Sequence, residues 1–495
     1  MNREQMLGRL RAATTWDIVV IGGGATGLGI AVDAASRGHR VALLERGDFA
    51  AGTSSRSTKL IHGGVRYLQQ GRLGLVREAL RERGRLLRNA PQLVRPLPFI
   101  VPAYRWWEQP WYGIGLGLYD QLAGASGFGP SFRVDRSRVL AELPNIAHTG
   151  LRGGVCYLDG QFDDAALAQA LARLAADQGA VLVNYCPVVA LRKQGGRICG
   201  VETIDQESGE TLTLAARVVI NATGPFSDAI RRLDAPQAAP LIAPSQGVHL
   251  VLPGRFLGGD SALLVPRTPD GRVIFLIPWH GRVLVGTTDT PVSEVSDEPR
   301  PQAAEIEFLL STANRYLAQP AGVGDILSVF AGIRPLIGDG TSSSAARSRE
   351  HWLQADPASG LITVAGGKWT TYRQMAEDTV NLAERSGSLT ARPCRTATLA
   401  ISSANKPTAA PPLHPALPLT ADDVRDACHE GMARRLADVL VRRQPCLLLD
   451  AAASRQVAPQ VAALMAEALG RDAAWITREL SDFERLARAA LPAGS

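Results

Sequence analysis

The sequence lacks any apolar run that approaches the ~20 residues a helix needs to cross a bilayer. Its first fifteen residues, MNREQMLGRLRAATT, predict a polar leader or a short helix, and they lack the apolar core of a secretory signal. We therefore expect a protein that is made and kept in the cytoplasm and is at most attached peripherally to the inner face of the cell membrane.

Cysteine is scarce and dispersed. The six cysteines among 495 residues form no C-x-x-C pair, so we expect reduced, mostly buried thiols and neither a disulfide framework nor a metal site. The sequence also lacks a basic block. Its formal net charge of +6 is spread along the chain, which argues against nucleic-acid binding. The mild positive excess is compatible with an anionic substrate or an anionic membrane surface.

The pattern that is present near the amino end, in residues 17–46, is typical of nucleotide binding. An apolar run predicts a buried strand, a G-x-G-x-x-G turn follows, and a small-residue helix leads to a second strand that ends in an acid. Its markers are Gly22, Gly24, Gly27 and Glu45.

Each marker has a physical role. Gly22 permits the tight turn, Gly24 lets backbone N–H groups approach a pyrophosphate, and Gly27 lets the helix pack closely on the strand. The helix N-terminus adds partial positive charge. Glu45 can accept hydrogen bonds from ribose hydroxyls and disfavours a 2′-phosphate, so the segment predicts an adenine dinucleotide other than NADP.

A polar loop follows, residues 52–68, GTSSRSTKLIHGGVRYL. It holds five Ser/Thr hydroxyls, one Lys, one His and a Gly pair, and therefore has little to bury and much to donate. We interpret it as a ligand-binding loop, with a solvated loop as the alternative.

Aromatic side chains concentrate in residues 96–122, which hold seven of the 27 aromatics of the chain. Trp and Tyr near Arg, interrupted by Pro, suit a bilayer interface, where the rings bury and the polar ends stay wet. A core helix or a dimer contact is the alternative.

The remaining chain predicts an α/β fold with three parts. Residues 163–178 predict a helix, 181–224 several strands that end in an Ala-Thr-Gly turn, and 240–330 an antiparallel sheet followed by a helix at 301–319. Residues 330–336 and 361–372 are predicted to return to the first domain. Residues 403–420 are Pro/Ala-rich and predict a linker, and 421–492 are helical by composition.

Six segments together resemble the aerobic FAD-dependent glycerol-3-phosphate dehydrogenase family, in the same order over roughly residues 15–450. They are the nucleotide-binding turn, STKLIHGGVRYL, IPWHGRVLVGTTDTP, FAGIRPL, GGKWTTY and MARRLADVLVRR. The wider superfamily, which includes D-amino-acid oxidase and glycine oxidase, shares the fold but uses different substrate residues.

The resemblance implies a Rossmann-like FAD-binding domain of the two-dinucleotide-half type, an antiparallel substrate domain and a C-terminal α-helical domain. We expect these boundaries: 1–80, 151–235 and 330–400 for FAD binding; 81–150 and 236–329 for the substrate and membrane face; 403–420 for the linker; 421–495 for the helical domain.

The resemblance also implies an activity. It implies oxidation of sn-glycerol 3-phosphate to dihydroxyacetone phosphate, with hydride transfer from C2 to flavin N5 and electrons passed to membrane ubiquinone. It further implies peripheral membrane attachment, a homodimer and no nucleic-acid partner. Two alternatives stay open: an oxidase that uses O₂ and releases H₂O₂, and a flavin-binding protein without turnover.

Residue by residue, the resemblance implies two sets of contacts. For FAD, the set is Gly22, Gly24, Gly27, Glu45, Thr53, Ser54, Ser55, Lys59, Leu60, His62, Gly63, Ala222, Thr223, Gly224, Gly367, Lys368 and Thr370. For the substrate, it is Tyr67, His249, Thr287, Thr288, Arg334, Arg349 and Lys368.

The catalytic candidates among these residues are His249 and Arg334. A general base should titrate near neutrality, which favours histidine; His249 and His62 are the candidates, although a lone histidine on an apolar strand is more often a core residue. Arg334 is a poor base because it stays protonated. It would instead pair with the phosphate or stabilise a developing alkoxide.

Overall fold

The computed structural model describes residues 1–64, 72–266, 268, 271–338, 351–403 and 410–492. The predicted substrate residues Tyr67 and Arg349, and part of the predicted linker 403–420, lie outside these residues.

The strands fall into two sheets. In chain order they are β1 (Trp16–Ile21), β2 (Val41–Leu44), β3 (Leu60–Ile61), β4 (Val94–Ala103), β5 (Phe132–Asp135), β6 (Gly153–Phe162), β7 (Val181–Val183), β8 (Val188–Gln194), β9 (Arg197–Ile204), β10 (Thr211–Asn221), β11 (Ile242–Pro253), β12 (Ala262–Val265), β13 (Ile274–Trp279), β14 (Arg282–Gly286), β15 (Thr290–Pro291), β16 (Ser328–Ile337), β17 (His351–Ala355) and β18 (Ile362–Gly366).

The helices flank these sheets and form the C-terminal part. They are α1 (Arg3–Ala12), α2 (Ala25–Ser36), α3 (Leu73–Asn89), α4 (Glu108–Ala123), α5 (Arg136–Glu142), α6 (Asp164–Asp177), α7 (Ser227–Asp234), α8 (Ala303–Asn314), α9 (Tyr372–Ser386), α10 (Ala421–His429), α11 (Cys446–Leu449), α12 (Ala451–Leu469) and α13 (Ala473–Ala489), with a π-helical turn at Asp438–Arg443.

The first sheet has the order β17-β18-β10-β1-β2-β7, and β8 and β9 extend from β10 as an antiparallel branch. Its centre is parallel, with β1 between β10 and β2. Strand β1 is apolar and almost wholly buried because α2 and its neighbours cover the sheet. Gly29 lets α9 approach α2, since a Cβ at this position would lie 2.8 Å from the Tyr372 ring.

The second sheet is mainly antiparallel, in the order β15-β11-β14-β13-β12-β4-β6-β3, with β16 paired to β11 and β5 to β6. One apolar cluster joins a face of this sheet to the C-terminal helices: Phe99, Ile277 and Phe330 share a core with Leu440 and Val461. The predicted α/β fold with a separate antiparallel sheet and a helical C-terminal part is therefore confirmed.

Three local predictions are wrong. Residues 330–336 do not return to the parallel sheet, because β16 pairs along its whole length with β11. The predicted 151–235 segment of the first domain begins with β6, which pairs with β4 in the second sheet. The first part of the aromatic stretch is the buried strand β4 instead of an interfacial segment. Each depends on long-range strand pairing, which local periodicity does not specify.

The described residues bear on the cysteines, on metal ligation and on membrane spanning. All six cysteines are free thiols, and four are buried. Over the same part of the chain, no group of three or more His, Cys, Asp or Glu side chains is arranged to hold a metal ion. Every helix placed by the structure is too short or too polar to span a bilayer.

Candidate active site

A cavity of about 960 Å³ lies where the carboxyl ends of β1, β2, β10 and β18 face the second sheet. In open parallel sheets, ligands bind outside these strand ends. The first sheet contributes the turns that follow its strands, and the second sheet contributes His249 from β11 and Arg334 from β16. The cavity therefore joins the two sets of residues that the sequence predicted separately.

The nucleotide-binding turn has the geometry its glycines suggest. Gly22 has φ +108°, and a Cβ there would lie 2.7 Å from the Ala222 carbonyl oxygen. A Cβ at Gly27 would lie 1.9 Å from the Gly22 carbonyl oxygen, so the helix packs directly on the turn. Helix α2 begins beside the cavity, with Gly24 as its N-cap, and points its positive end there.

Glu45 lines the cavity and braces the turn at the same time. Its carboxylate accepts the Gly23 N–H at 2.6 Å and the Gly47 N–H at 2.8 Å. Burial nevertheless raises its pKa, because these two backbone donors do not fully offset the loss of hydration. Each carboxylate oxygen keeps a further lone pair that can accept a hydrogen bond from a ribose hydroxyl.

The opposite wall of the dinucleotide end comes from the GGKWTTY segment. Gly366 and Gly367 have φ +77° and +71°, a turn that non-glycine residues rarely adopt. It places Lys368 and Thr370 on the cavity wall at the start of α9. The Trp369 indole N–H donates to the Ser54 carbonyl at 2.9 Å, which ties this wall to the polar loop.

His249 lies at the other end of the cavity, on β11. Its Nε2 is 2.9 Å from the Thr58 hydroxyl, and its ring stacks on Phe330 with centroids 5.0 Å apart. Burial, with the nearby charges of Arg334 and Lys59, lowers the pKa of His249 well below its ordinary 6.5. The imidazole is therefore neutral at physiological pH, and the same burial and charges disfavour its protonated form.

The His249 tautomer has a physical cost. Its Nδ1 is buried and makes no hydrogen bond to any residue that the structure describes. A hydrogen on Nδ1 would bury an unpaired donor, at a cost of about 1–3 kcal/mol. The tautomer with the hydrogen on Nε2, which donates to Thr58, avoids this cost, whereas a base acting through Nε2 requires the other form.

The guanidinium of Arg334 reaches the cavity from β16. Its nitrogens donate to the Thr288 carbonyl at 2.9 Å, the Thr287 hydroxyl at 3.0 Å and the Gln246 carbonyl at 3.3 Å. Asp289 lies 3.2 Å away and also accepts from Ser245. These contacts fix the plane of the guanidinium beside the cavity, so an anionic ligand would meet a preorganised cation.

Most of the predicted site residues line this one cavity. They are Gly22, Gly24, Glu45, Thr53, Ser54, Leu60, His62, Ala222, Thr223, Gly224, His249, Arg334, Gly367, Lys368 and Thr370. Five others lie behind its wall: Gly27, Ser55, Lys59, Gly63 and Thr288. Thr287 does not line the cavity either; it is half-buried and its hydroxyl accepts from Arg334.

Two of those five have clear structural contacts. Lys59 is fully buried, with its ammonium 2.6 Å from Asp164 and donating to the Ser55 carbonyl at 2.8 Å. The Thr288 hydroxyl accepts the Val248 N–H and donates to Glu305, both at 2.9 Å. Both residues hold the walls of the cavity through buried polar contacts.

The sequence interpretation missed a contribution from the C-terminal part. Arg435, Asp438 and Arg442 line the cavity, and they come from the MARRLADVLVRR segment assigned only to helices. Burial would raise the pKa of Asp48, yet Arg443 and Arg442 outweigh it and lower that pKa to about 2. The only sequence signal for this contribution was Asp48, an acid three residues after Glu45. No local pattern identifies the distant arginines that pair with it.

The sequence interpretation also missed Thr58. It lies in the hydroxyl-rich loop that the sequence singled out, and its bond to His249 connects that loop to β11. The residue types of the whole cavity suit a flavin dinucleotide, because backbone amides, an acid and a helix N-terminus line it together with cationic side chains.

Comparison with known proteins assigns the fold and the site to a family. The FAD-dependent oxidoreductase family matches residues 17–373, and the C-terminal domain of alpha-glycerophosphate oxidase matches residues 362–475. The chain belongs to the FAD-dependent oxidoreductase family. FAD as cofactor is thereby confirmed for this family member.

Three similar proteins make the resemblance more specific. Human mitochondrial glycerol-3-phosphate dehydrogenase is 46% identical over 80% of this chain and 56% of its own length. The mitochondrial enzyme of Saccharomyces cerevisiae is 40% identical over 82% of this chain and 69% of its own. The structure of the Bacillus halodurans glycerol-3-phosphate dehydrogenase complexed with FAD has a TM-score of 0.79 and 27% identity, covering 99% of this chain and 97% of that one. The resemblance inferred from the sequence is confirmed, although the chain spans little more than half the length of the human relative.

Proposed function

We propose that this flavoprotein oxidises sn-glycerol 3-phosphate to dihydroxyacetone phosphate. The observation that carries the proposal is the meeting of His249 and Arg334 with the dinucleotide-binding turns in one cavity. The names of the relatives, dehydrogenases at 40–46% identity, favour this activity over the oxidase alternative.

The cationic side chains of the cavity bind the substrate in this proposal. A phosphate monoester carries up to two negative charges, and arginine can pair two of its oxygens at once. Arg334 would supply that fork or, if the substrate lies the other way round, stabilise the oxygen at C2. Lys368, which also lines the cavity, adds a point charge. The predicted contacts from Tyr67, Thr287 and Arg349 are also part of the proposal, whereas Thr288, whose hydroxyl is engaged by Val248 and Glu305, is left out of it.

Bound FAD supplies the hydride acceptor, and the protein orients C2 and manages the proton of its hydroxyl group. We assign the proton to His249, whose neutral ring is the suitable acceptor. This role requires the tautomer with the hydrogen on Nδ1, in which the Nε2 lone pair is available for the proton. The ¹⁵N chemical shifts of the His249 ring distinguish the two tautomers, and a hydrogen fixed on Nε2 in the substrate complex would remove His249 as the direct base.

The central experiment is anaerobic addition of sn-glycerol 3-phosphate to the FAD-loaded protein. We expect bleaching of the visible flavin band and formation of dihydroxyacetone phosphate. If the band does not bleach, the protein binds flavin but does not oxidise this substrate. Separate samples of the reduced protein are then exposed to a soluble quinone or to air. Fast reoxidation by quinone and slow reoxidation by air supports a dehydrogenase linked to ubiquinone, and the reverse order supports the oxidase.

We also propose that α4 attaches the protein peripherally to the cytoplasmic face of a membrane. The aromatic stretch divides into a buried part and an exposed part. Trp106 is 77% exposed and Trp111 64%, and they lie beside Ile114 at 73% and Leu118 at 44%. An exposed apolar face of this kind, in a chain with net positive charge, suits the interface of anionic lipids.

Vesicle pelleting tests the attachment. Trp106→Ser combined with Trp111→Ser should free the protein from anionic vesicles, while Val323→Ser, at an exposed apolar residue elsewhere in the structure, should not. Equal pelleting of the double variant and the wild type would reject the membrane interface and would favour a dimer contact for this face of α4. The expected homodimer is part of this proposal too, and sedimentation equilibrium measures its mass.

A further inference from the structure

A buried hydrogen-bond chain joins α4 to the loop beside the proposed flavin site. The Tyr119 hydroxyl of α4 accepts the Gly63 backbone N–H at 2.9 Å and donates to Asp159 at 3.0 Å. Arg83 of α3 donates to the same Asp159 carboxylate at 2.7 Å. All three side chains are at least 97% buried, so these bonds are shielded from water and fix one arrangement.

The packing at Gly63 requires this arrangement. A Cβ at Gly63 would lie 2.5 Å from the Tyr119 hydroxyl oxygen and 2.6 Å from Leu80. Only glycine allows the loop to approach α4 so closely. The preceding residue, His62, lines the cavity, and its carbonyl accepts the Thr370 hydroxyl at 3.4 Å. The loop is therefore held between α4 on one side and the GGKWTTY wall on the other.

The two faces of α4 have different surroundings. Trp111, Ile114 and Leu118 are exposed on its outer face, whereas Leu116 and Tyr119 are buried on its inner face. The helix that carries the exposed apolar surface thus reaches the flavin loop through the Tyr119 hydroxyl. Burial raises the pKa of Tyr119 well above 10, so its hydroxyl stays protonated and can both donate and accept.

We propose that Tyr119 is a positioning residue for the cofactor: its hydroxyl, held by Asp159 and Arg83, fixes the Gly63 amide and thereby sets His62 against the flavin. This inference deepens the proposed function, because it takes the flavin to lie beside His62.

The test compares Tyr119→Phe with Tyr157→Phe. Phenylalanine keeps the ring of Tyr119 in the core and removes only the hydroxyl. Tyr157 is a matched control because its ring, also buried, packs edge-to-face on Tyr119 while no bond of its hydroxyl holds Gly63. Hydrogen exchange of the Gly63 amide is measured in the holoenzyme, together with the visible flavin spectrum and the Kd of FAD for the stripped protein.

In Tyr119→Phe we expect about tenfold faster exchange at Gly63, the change that loss of one hydrogen bond gives, with a shifted flavin spectrum and weaker FAD binding. Tyr157→Phe should leave all three unchanged. Unchanged exchange in Tyr119→Phe would overturn the anchoring. Faster exchange with an unchanged spectrum and Kd would overturn the link to the flavin.

If Tyr119→Phe does not fold, hydrogen exchange in the wild-type protein tests whether Tyr119 anchors Gly63. A Gly63 amide that is protected from exchange supports the anchor, and one that exchanges as fast as an exposed amide removes it. None of these measurements uses glycerol 3-phosphate, so failure of the proposed substrate and failure of this inference are distinguishable.

Discussion

Arg334→Ala is the sharpest test of the proposed substrate site. The guanidinium is held by the Thr288 carbonyl, the Thr287 hydroxyl and Asp289, and it borders the cavity opposite the nucleotide-binding turn. The substitution removes the cation without touching any residue that braces the dinucleotide end. We expect the variant to keep FAD and to lose affinity for glycerol 3-phosphate.

The magnitude follows from the bonds lost. Two charge-assisted hydrogen bonds to substrate oxygens are each worth about 1.5–3 kcal/mol. Their loss corresponds to about 3–6 kcal/mol, or roughly 10²- to 10⁴-fold in kcat/KM. Asp289 keeps its contact with Ser245 but loses the guanidinium, and its charge then repels an anionic substrate. We therefore expect a loss near the upper end, and partial recovery when Asp289→Asn is added.

The assay is anaerobic steady-state reduction of a soluble quinone, with the flavin spectrum recorded first to confirm occupancy. Arg255→Ala is the control, because Arg255 is an exposed arginine of the same sheet region, paired with Asp325 at 2.6 Å. Arg334→Lys should fall between the wild type and the alanine variant, since it keeps charge without the planar fork. A kcat/KM for Arg334→Ala equal to that of the wild type would refute the reasoning.

Four further predictions concern other residues of the cavity and its walls. Thr58→Val should lower kcat with FAD binding unchanged, because His249 loses its hydroxyl partner, and Thr58→Ser should restore activity; equal rates in both variants would exclude a role for the hydroxyl. Gly27→Ala should abolish FAD retention in a spectrum of the purified protein, since its Cβ would lie 1.9 Å from the Gly22 carbonyl oxygen; a fully loaded variant would contradict this. The pKa of His249 is lower in the folded protein than in the unfolded chain, so the unfolded chain binds a proton at this histidine at a higher pH. Its contribution to stability is therefore complete above pH 6.5 and declines below it, by at most about 1.4 kcal/mol per pH unit, and urea unfolding should show a steeper loss towards pH 5.5 for the wild type than for His249→Asn. In an NMR titration, inorganic phosphate should raise the pKa of His249, because a bound anion offsets the charge of Arg334; an unchanged pKa would place the anion elsewhere.

The dinucleotide end was predictable because its information is local. A strand, three glycines and a terminal acid stand within thirty residues, and the cause of each glycine can be read from the turn it must make. The structure places Gly22, Gly24 and Glu45 as that pattern requires. The C-terminal residues at the cavity were not predictable in the same way, since Asp48 and Arg442 are 394 positions apart.

Strand pairing set the other limit. Residues 328–337 and 362–366 are both apolar runs near a glycine, and no local pattern indicates that they belong to different sheets. The first pairs with β11 and the second with β10. That difference decides the site, because it is pairing with β11 that brings Arg334 opposite Ser245 and into the neighbourhood of His249.

In the proposed substrate site, the positive charge of Arg334 has two effects: it lowers the pKa of His249 and it attracts an anionic substrate. Burial, together with the charges of Arg334 and Lys59, keeps His249 neutral in the free protein, which is the state a proton acceptor needs. An anionic substrate that pairs with Arg334 cancels part of that positive field, so the pKa of His249 rises when the substrate arrives. In the proposed function, His249 is thus deprotonated before binding and becomes a better proton acceptor once the substrate is bound. An uncharged substrate would not cause this rise, which gives the cavity a physical reason to prefer a phosphate ester over the free alcohol.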